Sequence, residues 1–192
     1  MSERSRNADC ELRIAESAKS ARFCSSTPHS ALRTPHSVAV VGVGNLLMGD
    51  DGVGIAVIRE LGKEALPGHV ALFDAGTALL DVLPEIEHCE RIVLVDCCRA
   101  GGAPGSVYRT RMQLDQWQTE PLGESLHDLN VLHALQLHRI VTGKMNEVVL
   151  IGVEPESVVL REGLSPVLQE RLPEIVAAVR AELEPSATMS GA

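Results

Sequence analysis

Short apolar runs alternate with amphipathic stretches along the chain from Ser37 onward. Three runs are continuous and rich in β-branched residues, which is typical of strands buried on both faces. They span residues 38–43, 91–95 and 148–153. A shorter run predicts a further strand over 70–73 that ends at Asp74, and alternating polarity predicts an edge strand over 107–111.

Between these runs, apolar residues recur at helical spacing. They predict helices over about 52–65, 79–86, 129–140 and 164–183, the last with Pro166 in its first turn. Regular alternation of strands and helices is typical of a mostly parallel sheet with helices on both faces. We therefore predict an α/β fold, a three-layer α/β/α sandwich around a mostly parallel twisted sheet.

The chain of 192 residues is long enough for one such domain. Residues 1–37 are rich in Ser, Arg and Ala and lack sustained periodicity, so they predict a disordered N-terminal extension. The expected organisation is a single domain over 38–184, followed by a flexible tail over 185–192.

The composition argues against nucleic acid and membranes as binding partners. A net charge of −9 and only 2% aromatic residues disfavour nucleic acid and anionic membranes. No apolar run reaches the roughly 20 residues that span a bilayer, and the N-terminus lacks the apolar segment of a secretory signal. Five cysteines, an odd number, favour reduced thiols, and we expect a cytoplasmic protein. The sequence does not determine the oligomeric state, and a monomer is compatible with a chain of this size.

Acidic residues follow three of the predicted strands. Asp50 and Asp51 come after the first, Asp74 ends the second and Asp96 ends the third. A single aspartate at such a place is most often a helix cap. Several at the carboxyl edge of one sheet would repel one another, and a bound cation would relieve that repulsion.

His127 precedes a predicted helix, where a lone histidine is more often a surface or capping residue. If it faces the acidic edge, two carboxylates and one imidazole would suit a divalent transition metal. Cys97 and Cys98 directly follow Asp96, so a Cys–His nucleophile pair is a second hypothesis, although buried inert thiols are commoner. A dinucleotide site after Gly42-Val43-Gly44 is disfavoured, because the third glycine of that motif is replaced by Leu47.

Five ordered segments resemble the hydrogenase maturation endopeptidases, which process the large subunit of nickel–iron hydrogenases. The resemblance runs from about Val38 to Leu183. The segments are GVGNLLMGDDGVG at 42–54, DAGT at 74–77, Val95-Asp96 before a Gly-rich loop, Ser125-Leu126-His127, and IGVEPE at 151–156 with GLSP at 163–166.

The resemblance implies an aspartic-type, nickel-dependent endopeptidase. Asp51, Asp96 and His127 would contact nickel, and Asp51 and Asp96 would be catalytic. The nickel would arrive in the substrate, a [NiFe]-hydrogenase large-subunit precursor, whose C-terminal extension is removed. A non-catalytic chaperone that only checks the metal in the same precursor keeps the same ligands and is the alternative. The chain departs from the family pattern in three places. These are Cys97-Cys98, where small residues are expected, Ala75, in place of a glycine, and Glu154, where the family often has glutamine.

Overall fold

A computed structural model of the protein describes residues 37–112, 133–140, 143 and 147–184. Its sheet has five strands in the spatial order β2-β1-β3-β5-β4. They are β1 (Val38–Val43), β2 (Val70–Gly76), β3 (Arg91–Cys97), β4 (Val107–Met112) and β5 (Glu147–Val153). Four of them are parallel, and only β4 runs antiparallel, on the edge beside β5.

The strand order places β1 between β2 and β3. The chain therefore winds to one side of β1 when it forms β2 and to the other side when it forms β3 and β5. Such a reversal opens a crevice beyond the carboxyl ends of the two strands where it occurs, and ligands of α/β proteins commonly bind there. Here the crevice lies between the ends of β1 and β3.

Helices cover both faces of the sheet. A 3₁₀ turn (Gly49–Gly52) leads into α1 (Val53–Leu61), and α2 (Leu79–Ile86), α3 (133–140) and α4 (Pro166–Arg180) follow. Alternate residues of β1 enter different cores, as the two-residue period of a strand requires. Val38 and Val40 pack with residues of α1 and α4, whereas Ala39, Val41 and Val43 pack with residues of α2 and α3. The predicted three-layer sandwich is confirmed.

Most predicted elements have the expected type, with shifted ends. The helix expected over 52–65 is a 3₁₀ turn followed by the shorter α1. The helix expected over 164–183 is α4, where Ser165 Oγ accepts a hydrogen bond from the Leu168 N–H at 3.3 Å and Pro166 occupies the first turn. The prediction that β2 ends at Asp74 is wrong, because pairing with β1 extends β2 to Gly76.

Several expectations concern residues outside the described part of the chain. These are the disordered extension, apart from Ser37, the tail over 185–192, and the first four residues of the helix predicted over 129–140. Within the described ranges, no helix combines the length and the apolar character that a membrane span needs.

Two glycines allow α1 to touch the sheet with its backbone. A Cβ on Gly54 would lie 2.3 Å from the Val95 carbonyl oxygen and 2.4 Å from that of Val43. A Cβ on Gly42 would lie 2.4 Å from the Gly54 carbonyl oxygen. Any side chain at either position would push α1 away from the ends of β1 and β3.

We expect Gly54→Ala to lower the free energy of unfolding by about 1–3 kcal/mol, the usual cost of overpacking a core. Its methyl group has only backbone atoms around it, and these cannot move aside. Gly68→Ala is the matched control, because a Cβ there meets nothing within 4 Å. Urea unfolding of both variants checks this, and equal stability would show that α1 does not depend on the contact.

Candidate active site at the carboxyl edge of the sheet

Asp51 and Asp96 lie on either side of the crevice between β1 and β3. Asp51 belongs to the 3₁₀ turn that follows β1, and Asp96 is the penultimate residue of β3. The 3₁₀ turn packs against β3. Both residues are buried, with 4% and 3% of their surface exposed. The structure thus brings two residues that are distant in sequence to the same edge of the sheet.

The turn before Asp51 depends on a glycine. Gly44 has a φ of 135°, and a Cβ there would lie 1.8 Å from the Asp51 carbonyl oxygen. The next residue, Asn45, donates its backbone N–H to Asp51 Oδ2 at 2.8 Å. No residue in the described ranges forms a hydrogen bond to Oδ1 of Asp51 or an ion pair with its carboxylate.

The Asp96 carboxylate is oriented by its own strand. Its Oδ1 accepts the backbone N–H of Cys97 at 2.8 Å. Asp96 lies opposite Gly152 of β5 in the parallel ladder, so its position follows from the register of two buried strands. One oxygen of each site aspartate is thus held by a backbone N–H.

The buried Cys97 thiol lies close enough to Asp51 and Asp96 for both charges to affect its pKa. Burial raises the pKa of Cys97 far above its ordinary value, and the negative charges of Asp51 and Asp96 raise it further. The thiol therefore stays protonated at neutral pH, whereas a cysteine nucleophile needs a lowered pKa. This result argues against the hypothesis of a Cys97–His127 nucleophile pair.

Asp50 has a different role from its neighbour Asp51. It is completely buried, and its carboxylate accepts three backbone N–H groups from the segment after β5. Those of Glu156 and Ser157 donate to Oδ2, both at 2.9 Å, and that of Ser165 donates to Oδ1 at 2.6 Å. The carboxylate therefore joins the 3₁₀ turn to residues 156–165.

Asp74 does not take part in the site. It is exposed, and its Oδ1 accepts the N–H of Gly76 at 3.0 Å, a local turn contact. Asp51 and Asp96 are buried at the same edge of the sheet, whereas Asp74, the other acidic strand end, is exposed. Asp74 lies on β2, an edge strand of the sheet, whereas Asp96 lies on β3, which has a neighbouring strand on both sides.

His127 lies outside the described residues, so its predicted place beside the two aspartates stays a prediction. Among the residues that the structure does describe, no three His, Cys, Asp or Glu side chains form a group able to hold a metal ion. The described part of the site thus supplies two carboxylates.

Glu154 is a structural residue of the edge whose role the sequence did not reveal. It follows β5, and its Oε2 accepts hydrogen bonds from Ala100 N–H at 2.8 Å, Gly102 N–H at 3.2 Å and Tyr108 O–H at 2.9 Å. Desolvation pushes its pKa upward, but these hydrogen bonds outweigh that effect and the pKa lies below its ordinary value. Glu154 therefore fixes the Gly-rich loop that follows Asp96 and Cys97. An acidic residue directly after a buried strand was the signal that could have revealed it.

Comparison with known proteins identifies the family. A family model described as "HycI: Hydrogenase maturation protease" matches residues 55–182, more than half of the chain. The chain belongs to the hydrogenase maturation protease family. It is a hydrogenase maturation endopeptidase. This assignment favours the predicted enzyme over the two alternatives, a non-catalytic chaperone and a nucleotide-binding protein.

Individual relatives agree with this assignment. The chain is 27% identical over 150 residues to the hydrogenase 2 maturation protease of Escherichia coli K12, covering 74% of this chain and 90% of the relative. It is 29% identical over 157 residues to the hydrogenase expression/formation protein HoxM of Azotobacter vinelandii, covering 80% and 70%. The solved structure of the hydrogenase maturating endopeptidase HybD from E. coli superimposes with a TM-score of 0.66 at 27% identity, covering 76% of this chain and 91% of HybD.

The two adjacent aspartates should differ in their effect on stability. We expect Asp50→Asn to lower the free energy of unfolding of this endopeptidase by about 2–4 kcal/mol, because an amide nitrogen cannot accept the backbone N–H groups that bind one carboxylate oxygen. Asp51→Asn should cost less than about 1 kcal/mol, because its amide oxygen still accepts the Asn45 N–H. Urea unfolding compares the variants, and equal losses would contradict the division of roles.

The lowered pKa of Glu154 predicts a pH dependence. A carboxyl whose folded pKa is below its unfolded value, about 4.3, stabilises the fold above that value and loses the effect as pH falls through the folded pKa. Wild type should therefore be more stable than Glu154→Gln at pH 7, with the difference shrinking below about pH 4. Tyr108→Phe, which removes one donor, should show a smaller difference of the same sign. Urea unfolding between pH 3 and 7 measures both, and a constant difference would contradict the assignment.

Proposed function

We propose that this endopeptidase removes the C-terminal extension of a nickel-loaded [NiFe]-hydrogenase large-subunit precursor and detects the nickel through Asp51, Asp96 and His127. The observation that carries the proposal is the burial of Asp51 and Asp96 on adjacent elements at one crevice. Two buried carboxylates are costly unless a cation or hydrogen bonds compensate them. Membership of the hydrogenase maturation proteases supplies the reaction.

The donor set fits the metal. Two carboxylates and one imidazole are hard-to-borderline ligands, and they suit a divalent transition metal that keeps other positions for the substrate's own ligands. In this proposal the nickel belongs to the precursor. A precursor without nickel would lack the cation that these ligands recognise, so it would be rejected, and cleavage would follow only after the metal has been inserted.

Asp51 and Asp96 also supply groups for peptide hydrolysis. A carboxylate held by a backbone N–H through one oxygen can orient a water molecule and accept its proton through the other. Asp51 meets this description, since the Asn45 N–H holds Oδ2 and Oδ1 points to no hydrogen-bond donor in the described residues. Burial beside β3 lowers the local dielectric and strengthens these interactions.

The test uses purified precursor in nickel-loaded and nickel-free forms, with intact mass as the readout. Wild type should shorten only the nickel-loaded form. Asp51→Ala and Asp96→Ala should each slow processing by at least about 100-fold while remaining folded, because general-base groups contribute about 10²–10⁴-fold. His127→Ala should also slow processing of the nickel-loaded precursor, because it removes the proposed imidazole ligand.

Asp74→Ala is the matched control, because it removes an exposed carboxylate from the neighbouring strand and should process at the wild-type rate. Full processing by any of the three site variants would remove that residue from the mechanism. Equal cleavage of the nickel-free precursor by wild type would contradict detection of the metal.

A further inference from the structure

Two segments beside Asp51 carry exposed large apolar side chains. We call Leu47, Val159 and Leu160 the apolar patch; they are 59%, 50% and 84% exposed. Leu47 lies in the turn between β1 and the 3₁₀ turn, and the other two lie in the segment between β5 and α4. Single exposed apolar residues are common on protein surfaces, but several on joined segments beside a site indicate a binding surface.

The two segments of the apolar patch are hydrogen-bonded to each other. The Arg161 N–H donates to the Leu47 carbonyl at 3.0 Å, and the Gly49 N–H donates to the Arg161 carbonyl at 2.8 Å. Met48 and Arg161 form a parallel β-bridge. The patch therefore rests on a paired backbone that includes both segments.

The buried Asp50 stabilises the pairing of these two segments. Its carboxylate accepts N–H groups at both ends of the 156–165 segment, and its own N–H donates to the Ser157 carbonyl at 3.2 Å. Arg161 Nη2 lies 3.8 Å from Asp50 Oδ1, so the charge next to the patch is offset by a buried carboxylate. A surface ordered before binding does not pay the cost of ordering its backbone when the ligand arrives.

Hydrogen bonds also connect the apolar patch to the proposed catalytic carboxylate. The Leu47 N–H donates to Asn45 Oδ1 at 3.0 Å, and the Asn45 N–H donates to Asp51 Oδ2 at 2.8 Å. Two hydrogen bonds through Asn45 thus connect the Leu47 backbone to the Asp51 carboxylate. Leu47 and Asp51 are both hydrogen-bonded to Asn45.

We propose that the apolar patch binds an apolar side chain of the precursor polypeptide next to the bond that is cut. The inference rests on the proposed function and adds a specificity surface to it. An endopeptidase must hold its substrate chain beside the reacting groups in a defined position. The patch offers exposed apolar area there, and the neighbouring Arg161 charge is partly offset by Asp50, which fits an uncharged, apolar side chain.

The test measures kcat and KM of Leu160→Asp and Leu47→Asp on the nickel-loaded precursor. Burying one large apolar side chain is worth about a factor of ten in affinity, so each variant should raise KM about ten-fold. The kcat should stay within about two-fold of wild type, because neither side chain belongs to the Asp51 and Asp96 pair. Ile140→Asp is the matched control, since Ile140 is 78% exposed on α3 and should change neither constant.

Thermal unfolding verifies that the variants are folded, as expected for exposed positions. An unchanged KM in both patch variants, or a loss confined to kcat, would overturn the inference while leaving the proposed function intact. If wild type fails to shorten the nickel-loaded precursor, the proposed function fails and this inference falls with it.

Discussion

Backbone contact between α1 and the ends of β1 and β3 is the constraint on which the site depends. Gly42 and Gly54 permit it, since a Cβ on either would lie within 2.4 Å of a carbonyl oxygen across the contact. Asp51 lies two residues before α1 and Asp96 directly follows Val95, so this contact positions the backbone that carries each carboxylate. A larger residue at either glycine would shift this backbone without altering either aspartate.

The buried carboxylates of this edge divide into two kinds. Asp50 and Glu154 each accept three hydrogen bonds from neighbouring loops and strands, so their charge is compensated within the protein. They reinforce the backbone hydrogen bonds that already join these loops. Asp51 accepts one, from Asn45, within the described ranges. A buried carboxylate with a spare acceptor is costly in the free protein and becomes favourable when a cation or a polar ligand arrives.

The hydrogen bonds of Asp50 and Glu154 join the loops around the candidate site to one another. Asp50 joins the loop after β1 to the loop after β5, and Glu154 joins the loop after β3 to the end of β5. Reacting groups must be held to a fraction of an ångström if positioning is to contribute to rate. Here that rigidity comes from charge-assisted hydrogen bonds to backbone N–H groups, which are stronger than neutral ones.

The periodicity of apolar residues predicted the α/β sandwich and the type of nearly every element, because strand and helix periods are local properties of the chain. The positions of aspartates after the predicted strands indicated the edge of the sheet at which acidic residues lie. The tertiary structure decided which acidic residue does what. Asp50 and Asp51 are identical neighbours in sequence, yet of the two it is Asp50 that accepts the N–H groups of residues 156–165. Asp74 and Asp96 both lie near strand ends, yet Asp74 is exposed and Asp96 is buried. Hydrogen-bond partners from distant segments leave no periodic trace in the sequence, so they become visible only when the segments pack together.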